Sequence, residues 1–275
     1  MGNKTKTKAI LLIVAILIVL TFFEKRESFA NLDPANVQII ILCKKVNQQL
    51  YDVYSSLFVG KKLIFISDEN PEIKKRNIYH YKDDPEFYGM HSKIKHTSWD
   101  KAFFHLSKNN EHDYYWFIED DVYISTKNVI DKFDRKYTED FLMFAWHNFD
   151  RFTKSKINKF WFDSHIKHTL KNVEYFPVKY LSGSLNVFTR LSKKHVDLIL
   201  NFRKKHKRFI FHEMLIPSIA RQNDLKIKKI DSSESNSVMS PREIFKEHKT
   251  INDKIQHFKN KKLELAHPAK QWYKQ

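Results

Sequence analysis

Three adjacent carboxylates follow a run of apolar and aromatic residues near the middle of the chain. The stretch YYWFIEDDVYIS, residues 114–125, has the composition of a buried strand until it reaches Glu119, Asp120 and Asp121. Two unit charges about 4 Å apart repel by roughly 4 kcal/mol at an effective dielectric constant near 20. A bound Mg²⁺ or Mn²⁺, which takes carboxylate oxygens as ligands, would offset this repulsion. A solvated strand end, or acids that stabilise the start of a following helix, is the alternative that the motif leaves open.

Short apolar strands alternate with amphipathic helices through the first half of the chain. This alternation predicts βαβ units and therefore parallel strands. Ligands of open α/β sheets gather at the carboxyl ends of the strands, where Asp68 and the acidic triplet both fall. The predicted strands are 37–43, 61–67, 113–119 and 141–146, and the predicted helices are 46–58 and 97–109.

The second half of the chain has a less regular pattern. Apolar residues at helical spacing indicate helices, and a short alternating segment indicates an edge strand. A Ser-rich segment has the composition of a surface loop. The predictions are a strand or turn at 178–190, helices at 191–202 and 212–222, an edge strand at 225–231 and a loop at 231–240.

An uninterrupted apolar run near the N-terminus predicts a membrane anchor. As a helix, its fifteen residues span about 22 Å, which is short for a hydrocarbon core of about 27–30 Å but within a tolerable mismatch. A cleaved signal peptide is the alternative, because Ser28 and Ala30 have the spacing of a cleavage site. The expected boundaries are a cytoplasmic tail at 1–8, a signal-anchor helix at 9–23, a stem at 24–35 and one large domain at 36–275.

The chain is strongly basic, with 49 Lys and Arg against 32 Asp and Glu and a formal net charge of +17. Such a charge indicates either a polyanionic partner or a general drift in composition. We do not expect a nucleic-acid partner, because no RNP motif or Cys/His finger accompanies the basic residues. The single cysteine, Cys43, excludes an intrachain disulfide and a thiolate metal cluster.

An apolar strand that ends in Glu-Asp-Asp, after a signal anchor and a βαβ half, resembles the GT-A glycosyltransferases and their DxD motif. The resemblance implies an α/β fold, GT-A-like or Rossmann-like, with a mixed sheet flanked by helices after the transmembrane helix. It also implies that the acidic motif holds Mn²⁺ or Mg²⁺ on the diphosphate of a nucleotide-sugar donor. The sugar would pass to a glycan, protein or lipid acceptor. Members that need no metal also exist, and in those basic residues neutralise the diphosphate.

The resemblance assigns roles to further residues, each of which has a simpler structural interpretation. Asp100 and Lys101 also suit the solvated face of a helix, and residues 182–184 suit a tight turn. Glu213 suits the first turn of a helix, where acids are common, and His267 suits a turn before proline. The implied base is Glu213, with His212 as its substitute. The implied metal ligands are Glu119, Asp121 and His267; the nucleotide-binding residues are Asp68, Asp100, Lys101, Asp120 and Lys270; and the substrate-binding residues are Ser182, Gly183, Ser184 and His212.

The resemblance also implies a location. Nucleotide sugars are pumped into the lumen of the Golgi and the endoplasmic reticulum, so a single-pass type II protein facing that lumen suggests a eukaryotic or viral source. Two other function classes fit the sequence. One is a membrane-tethered basic protein that binds polyanions, whose binding would fall steeply with salt. The other is a metal-dependent enzyme that acts on phosphoesters.

Overall fold

The structure is a computed structural model that describes residues 36–82, 97–148, 175–207, 209–234, 236–239, 251–267 and 269. The predicted tail, anchor helix and stem lie outside these residues. Among the helices within them, none is long and apolar enough to cross a membrane.

Six α-helices and twelve β-strands make up this part of the chain. The strands are β1 (Val37–Cys43), β2 (Lys62–Ser67), β3 (Ile78–His80), β4 (Tyr114–Glu119), β5 (Tyr123–Ile124), β6 (Phe141–Met143), β7 (Ala145–Asn148), β8 (Ser182–Leu185), β9 (Phe188–Ser192), β10 (Ile227–Lys229), β11 (Ser237–Met239) and β12 (Leu265–His267). The helices are α1 (Gln48–Leu57), α2 (Ser98–Leu106), α3 (Asn128–Lys136), α4 (Lys193–His206), α5 (His212–Gln222) and α6 (Ile251–Asn260).

A seven-stranded sheet in the order β10-β6-β9-β4-β1-β2-β3 forms the centre of the molecule. β1 pairs in parallel with both β2 and β4, and β9 runs antiparallel to β4 and β6. The sheet is therefore mixed, as the resemblance implied. The carboxyl ends of β1, β2 and β4 meet at one edge, and there the chain places Asp68 and the acidic motif.

Alternate residues of the central strands pack into two separate cores. Ile39 and Ile41 of β1 face the core that includes Leu50 of α1, Phe133 of α3 and Phe258 of α6. The neighbouring β1 residues face the second core, which includes residues of α2, α4 and α5. Helices thus cover both faces of the sheet, and this explains why β1 is apolar at nearly every position rather than at every second one.

A smaller sheet, in the order β11-β12-β5, lies beside the carboxyl end of β4. β5 follows the acidic motif directly, and β12 pairs with it antiparallel, with Ala266 opposite Tyr123. The main-chain N–H of Ala269 also donates to the carbonyl of Asp121 at 2.6 Å. This pairing holds a late segment of the chain against the acidic turn.

Most predicted elements are confirmed, and the differences concern short segments. The helix predicted at 212–222 and the strand at 37–43 have the predicted bounds, and the edge strand at 225–231 appears as β10 at the edge of the sheet. The single strand predicted at 141–146 is wrong, since β6 belongs to the central sheet whereas β7 pairs with β8. The loop predicted at 231–240 contains β11.

Candidate active site

The acidic motif lies where β4 ends, and main-chain hydrogen bonds fix its course. Glu119 is the last residue of β4, and Asp120 and Asp121 form the turn before β5. The N–H of Glu119 donates to the carbonyl of Val187, and that of Asp120 donates to the carbonyl of Leu42, both at 2.9 Å. The three carboxylates therefore extend from a backbone that is held from both sides.

Two of these carboxylates meet a histidine from the far end of the described chain. Glu119, Asp121 and His267 each offer one possible ligand atom, and these atoms lie within 4.8 Å of one another. The Nε2 atom of His267, at the end of β12, is 3.3 Å from Oδ1 of Asp121. The structure thus brings together all three residues that the resemblance implied as metal ligands.

The donor set fits a divalent cation. Among the described residues, Oδ1 of Asp121 is buried without a hydrogen-bond partner, whereas buried polar atoms are nearly always satisfied, and Nε2 of His267 is the ring nitrogen that lies close to it. Adjacent ligands about 2.1 Å from an octahedral ion lie roughly 3.0 Å apart, which is near the separation found between these two side chains. Carboxylates suit Mg²⁺ and Mn²⁺, and the imidazole favours Mn²⁺ of the two.

Burial disfavours the ionised forms of Glu119 and Asp120. It raises the pKa of Glu119, which a hydrogen bond from Trp99 lowers and the charge of Asp121 raises again. Burial and then the charges of its two neighbours raise the pKa of Asp120 to about 7. The adjacent carboxylates of the motif therefore repel one another, as the sequence predicts, and a bound proton or cation would reduce this repulsion.

The first turn of α5 faces the same place. Glu213 is half-buried, and burial followed by the charge of Glu119 raises its pKa to about 8. His212, the first residue of α5, stacks on Trp99 with ring centroids 4.7 Å apart and an interplanar angle of 11°. The candidate base is therefore within electrostatic range of the candidate metal site.

The candidate nucleotide-binding residues in the described part of the chain lie at the ends of β2 and β4 and on α2. Lys101 is only 3% exposed, and its Nζ is 3.2 Å from Oδ1 of Asp68. The carboxylate of Asp120 accepts a hydrogen bond from the N–H of Lys44 instead of joining the metal group. Asp100 accepts from the N–H of Thr97 at 3.0 Å, so it caps α2. Lys270 lies outside the described residues.

The segment predicted as a small-residue turn, Ser182 to Ser184, is the strand β8. It pairs antiparallel with β7, with Gly183 opposite His147. The hydroxyl of Ser184 donates to Oδ1 of Asn186, and Nδ2 of Asn186 donates to the carbonyl of His212 at 3.2 Å. Of the strand and the turn that the sequence left open for 178–190, the structure has the strand at this segment, because β7 supplies pairing that the local sequence does not reveal. Its hydrogen bonds still connect the segment to the start of α5.

Sequence reasoning missed Trp99 and Asn186 as parts of this site. In the predicted helix 97–109, Trp99 has only the signal of one more apolar residue, and the side chain is 2% exposed. Its indole N–H nevertheless donates to Oε1 of Glu119 at 2.9 Å. A polar group at the tip of an apolar ring gives no separate signal in a hydropathy pattern, and neither does a single buried asparagine.

Comparisons with solved structures return low-similarity matches. The galactosyltransferase LgtC in complex with donor and acceptor sugar analogs is 10% identical, with 84% of this chain and 86% of that chain covered and a TM-score of 0.42. Core-mannan synthase A (CmsA/Ktr4) from Aspergillus fumigatus in its Mn/GDP form is 13% identical, with coverages of 67% and 68% and a TM-score of 0.31. No curated protein matches the chain.

The galactosyltransferase family model matches residues 98–232. The matched segment begins at α2 and contains the acidic motif, β8 and the first turn of α5, while Asp68 and His267 lie outside it. The match supports glycosyltransferase activity. With the mixed sheet and the acidic motif at the end of β4, it confirms that this chain resembles the glycosyltransferases of the GT-A fold.

Proposed function

We propose that the protein is a metal-dependent glycosyltransferase that moves a sugar from a nucleotide-sugar donor to a hydroxyl of a glycan, protein or lipid. The observation that carries the proposal is the group formed by Glu119, Asp121 and His267 beside Glu213. Such a transfer requires a metal site, which carboxylates can form, and a general base, which a further carboxylate can supply.

In this proposal the metal ligands Glu119, Asp121 and His267 hold Mn²⁺ or Mg²⁺. The cation would neutralise charge on the diphosphate that leaves. Glu213 accepts the proton of the acceptor hydroxyl as its oxygen bonds to the anomeric carbon. The bond from that carbon to the diphosphate oxygen breaks in the same step, and a single displacement of this kind inverts the anomeric configuration.

The remaining roles belong to the same proposal. Asp68 and Asp120 lie at the strand ends where a nucleotide would bind, and Lys101 of α2 contacts Asp68 there. Asp100 and Lys270 stay proposed contacts of the donor. Ser182, Gly183, Ser184 and His212 stay proposed contacts of the substrate. We also propose that residues 9–23 anchor the domain in the membrane of the Golgi or the endoplasmic reticulum, facing the lumen.

Thermal unfolding of the full chain in detergent, with and without Mn²⁺ and with UDP or GDP, tests the proposal. A ligand that binds only the folded state raises stability by about 2.7 kcal/mol at a hundredfold excess over its dissociation constant. We expect a rise that requires Mn²⁺ and one of the nucleotides, and its loss in Asp121→Ala.

Asp52→Ala is the matched control, because Asp52 is an exposed carboxylate of α1 bonded only to Gln48 among the hydrogen bonds described. It should respond to Mn²⁺ and nucleotide as the unchanged protein does. A rise that needs no Mn²⁺ would overturn the metal-dependent mechanism. Absence of any response to nucleotide, together with salt-sensitive binding to heparin, would favour the polyanion-binding protein instead.

A further inference from the structure

One buried side chain contacts both halves of the proposed catalytic machinery. Trp99 lies in the first turn of α2, at the carboxyl edge of the central sheet. Its indole N–H donates to Glu119, and its ring packs against His212, the residue before Glu213. The acidic motif and the first turn of α5 are 93 residues apart in the sequence, and this side chain connects them.

The hydrogen bond restricts the carboxylate of Glu119. An indole has one donor and no acceptor, so the N–H of Trp99 can hold a single oxygen. At 2.9 Å to Oε1, the bond has ordinary hydrogen-bond length. The carboxylate keeps its second oxygen and further lone pairs for another ligand. Trp99 thus sets the direction in which Glu119 presents those lone pairs.

The ring of Trp99 is itself held in place. It lies nearly parallel to Phe117 of β4, with centroids 5.0 Å apart and an angle of 11°, and at the same angle to His212 at 4.7 Å. The 2% exposure of the side chain excludes water from this contact. Because His212 also receives the hydrogen bond from Asn186 at its carbonyl, the start of α5 is held at two points.

We propose that Trp99 is a positioning residue that fixes Glu119 and the start of α5 relative to one another. The inference rests on the proposed function, since it needs Glu119 to bind the cation and Glu213 to act as the base. Side chains that orient a metal ligand from behind typically change metal affinity or activity by about 10- to 100-fold when they are replaced. Trp99 is such a side chain, because its indole N–H holds the carboxylate of the proposed ligand Glu119.

Trp99→Phe tests the inference, because phenylalanine keeps an aromatic ring in the core and removes the N–H. The chain offers a matched control in Trp116, whose indole N–H donates to Oδ1 of Asp134 at 3.0 Å. Trp116 is fully buried in the core on the other face of the central sheet from Trp99. Trp116→Phe removes the same kind of bond. Both variants should lose stability, so stability alone does not distinguish a positioning role.

The distinguishing measurement is the affinity for Mn²⁺ in the presence of UDP, read from the electron paramagnetic resonance signal of free Mn²⁺, together with kcat and KM. We expect Trp99→Phe to bind Mn²⁺ about tenfold or more weakly and to lose kcat, and Trp116→Phe to bind as the unchanged protein does. Equal affinities in all three proteins would overturn the inference and leave the proposed function standing. Failure of the unchanged protein to bind Mn²⁺ would overturn the proposed function itself.

Should Trp99→Phe fail to fold, NMR spectra of the unchanged protein carry the same test. The indole resonance of Trp116 is identified by its loss in Trp116→Phe. If Trp99 holds Glu119, another indole N–H that is protected from exchange with water should shift when Mg²⁺ and UDP are added. If no indole resonance other than that of Trp116 moves, the inference is wrong.

Discussion

Glu213 shows how the surroundings of one carboxyl group can suit it to accept a proton. Its side chain is half-buried at the start of α5, and its pKa is raised to about 8 by burial and then by the charge of Glu119. A carboxyl group with an ordinary pKa is a weak base at neutral pH, whereas one raised to this range accepts a proton readily.

Glu213→Gln should therefore reduce kcat by about 10²- to 10⁴-fold, the usual contribution of a general base. Because the base must be deprotonated, kcat/KM of the unchanged protein should rise with pH to about 8 and level off above it. The measurement is transfer of a labelled sugar between pH 6 and 9.

Glu72→Gln is the control, at an exposed carboxyl paired with Lys45, and it should change neither kcat nor the pH dependence of kcat/KM. An unchanged rate in Glu213→Gln would assign the base to another residue.

The acidic motif could be recognised in the sequence as a cluster of carboxylates, but the placing of Asp120 apart from Glu119 and Asp121 came from the family resemblance and not from their spacing. The spacing of Glu119, Asp120 and Asp121 predicts a cluster of carboxylates and leaves open which of them act together. The structure separates Asp120, which turns to the N–H of Lys44, from the other two. That separation depends on χ angles in a two-residue turn, and these angles follow from contacts with distant parts of the chain.

At the scale of elements, helix starts fix the loops around the site. Asn47 precedes α1, and its Oδ1 accepts from the N–H of Leu50 at 2.8 Å. Asn47 is the last residue of the loop that follows β1. At the start of this loop, the N–H of Lys44 donates to the carboxylate of Asp120. In the first turn of α5, the carbonyl of Glu213 cannot accept the usual helical hydrogen bond, because Pro217, four residues later, has no N–H.

Asn47→Ala should lower the free energy of unfolding by about 1 kcal/mol, because the capping oxygen is lost. Asn47→Asp keeps an acceptor at the same position and should retain most of the stability. Urea unfolding of the three proteins, followed by circular dichroism, gives the comparison. Equal losses in both variants would mean that the side-chain oxygen does not stabilise the helix.

The elements that sequence reasoning missed are those whose pairing is not local. The run FLMFAW is apolar throughout, yet the chain leaves the central sheet at Phe144 between β6 and β7. β11 lies in a Ser-rich stretch and exists because its main chain pairs with β12. Long periodic helices such as α5 were predictable because their own residues carry the pattern.

At the scale of the whole molecule, buried histidines link stability to pH. His195 is fully buried on α4, and its Nε2 lies 3.0 Å from the carbonyl of Ile216 on α5. Burial lowers the pKa of His195 to about 4, and it does the same for His105. Both rings are therefore neutral in the folded protein at pH values at which the unfolded chain already protonates them.

Between pH 6.5 and 4 each of these histidines binds a proton in the unfolded chain but not in the folded protein, so its contribution to the free energy of unfolding falls as the pH falls. The raised pKa values of Asp120 and Glu213 contribute in the opposite direction. Each such histidine contributes at most about 1.4 kcal/mol per pH unit. Urea unfolding at pH 7, 6 and 5 measures the slope. His195→Gln should be less stable at pH 7, and the difference in stability from the unchanged protein should become smaller as the pH falls to 5. Parallel curves for the two proteins would show that His195 does not titrate on unfolding in this range.

The late position of β12 has a consequence for the order of synthesis. His267 leaves the ribosome about 150 residues after Asp121, which at about 5–20 residues per second is roughly 7–30 s later. During that interval β1 to β4 can already pair and β6, β9 and β10 join the sheet as they are made, while the acidic turn lacks both its histidine and the strand β12. A nascent chain therefore cannot bring Glu119, Asp121 and His267 together until translation has passed β12, so the proposed metal site can form only near the end of synthesis.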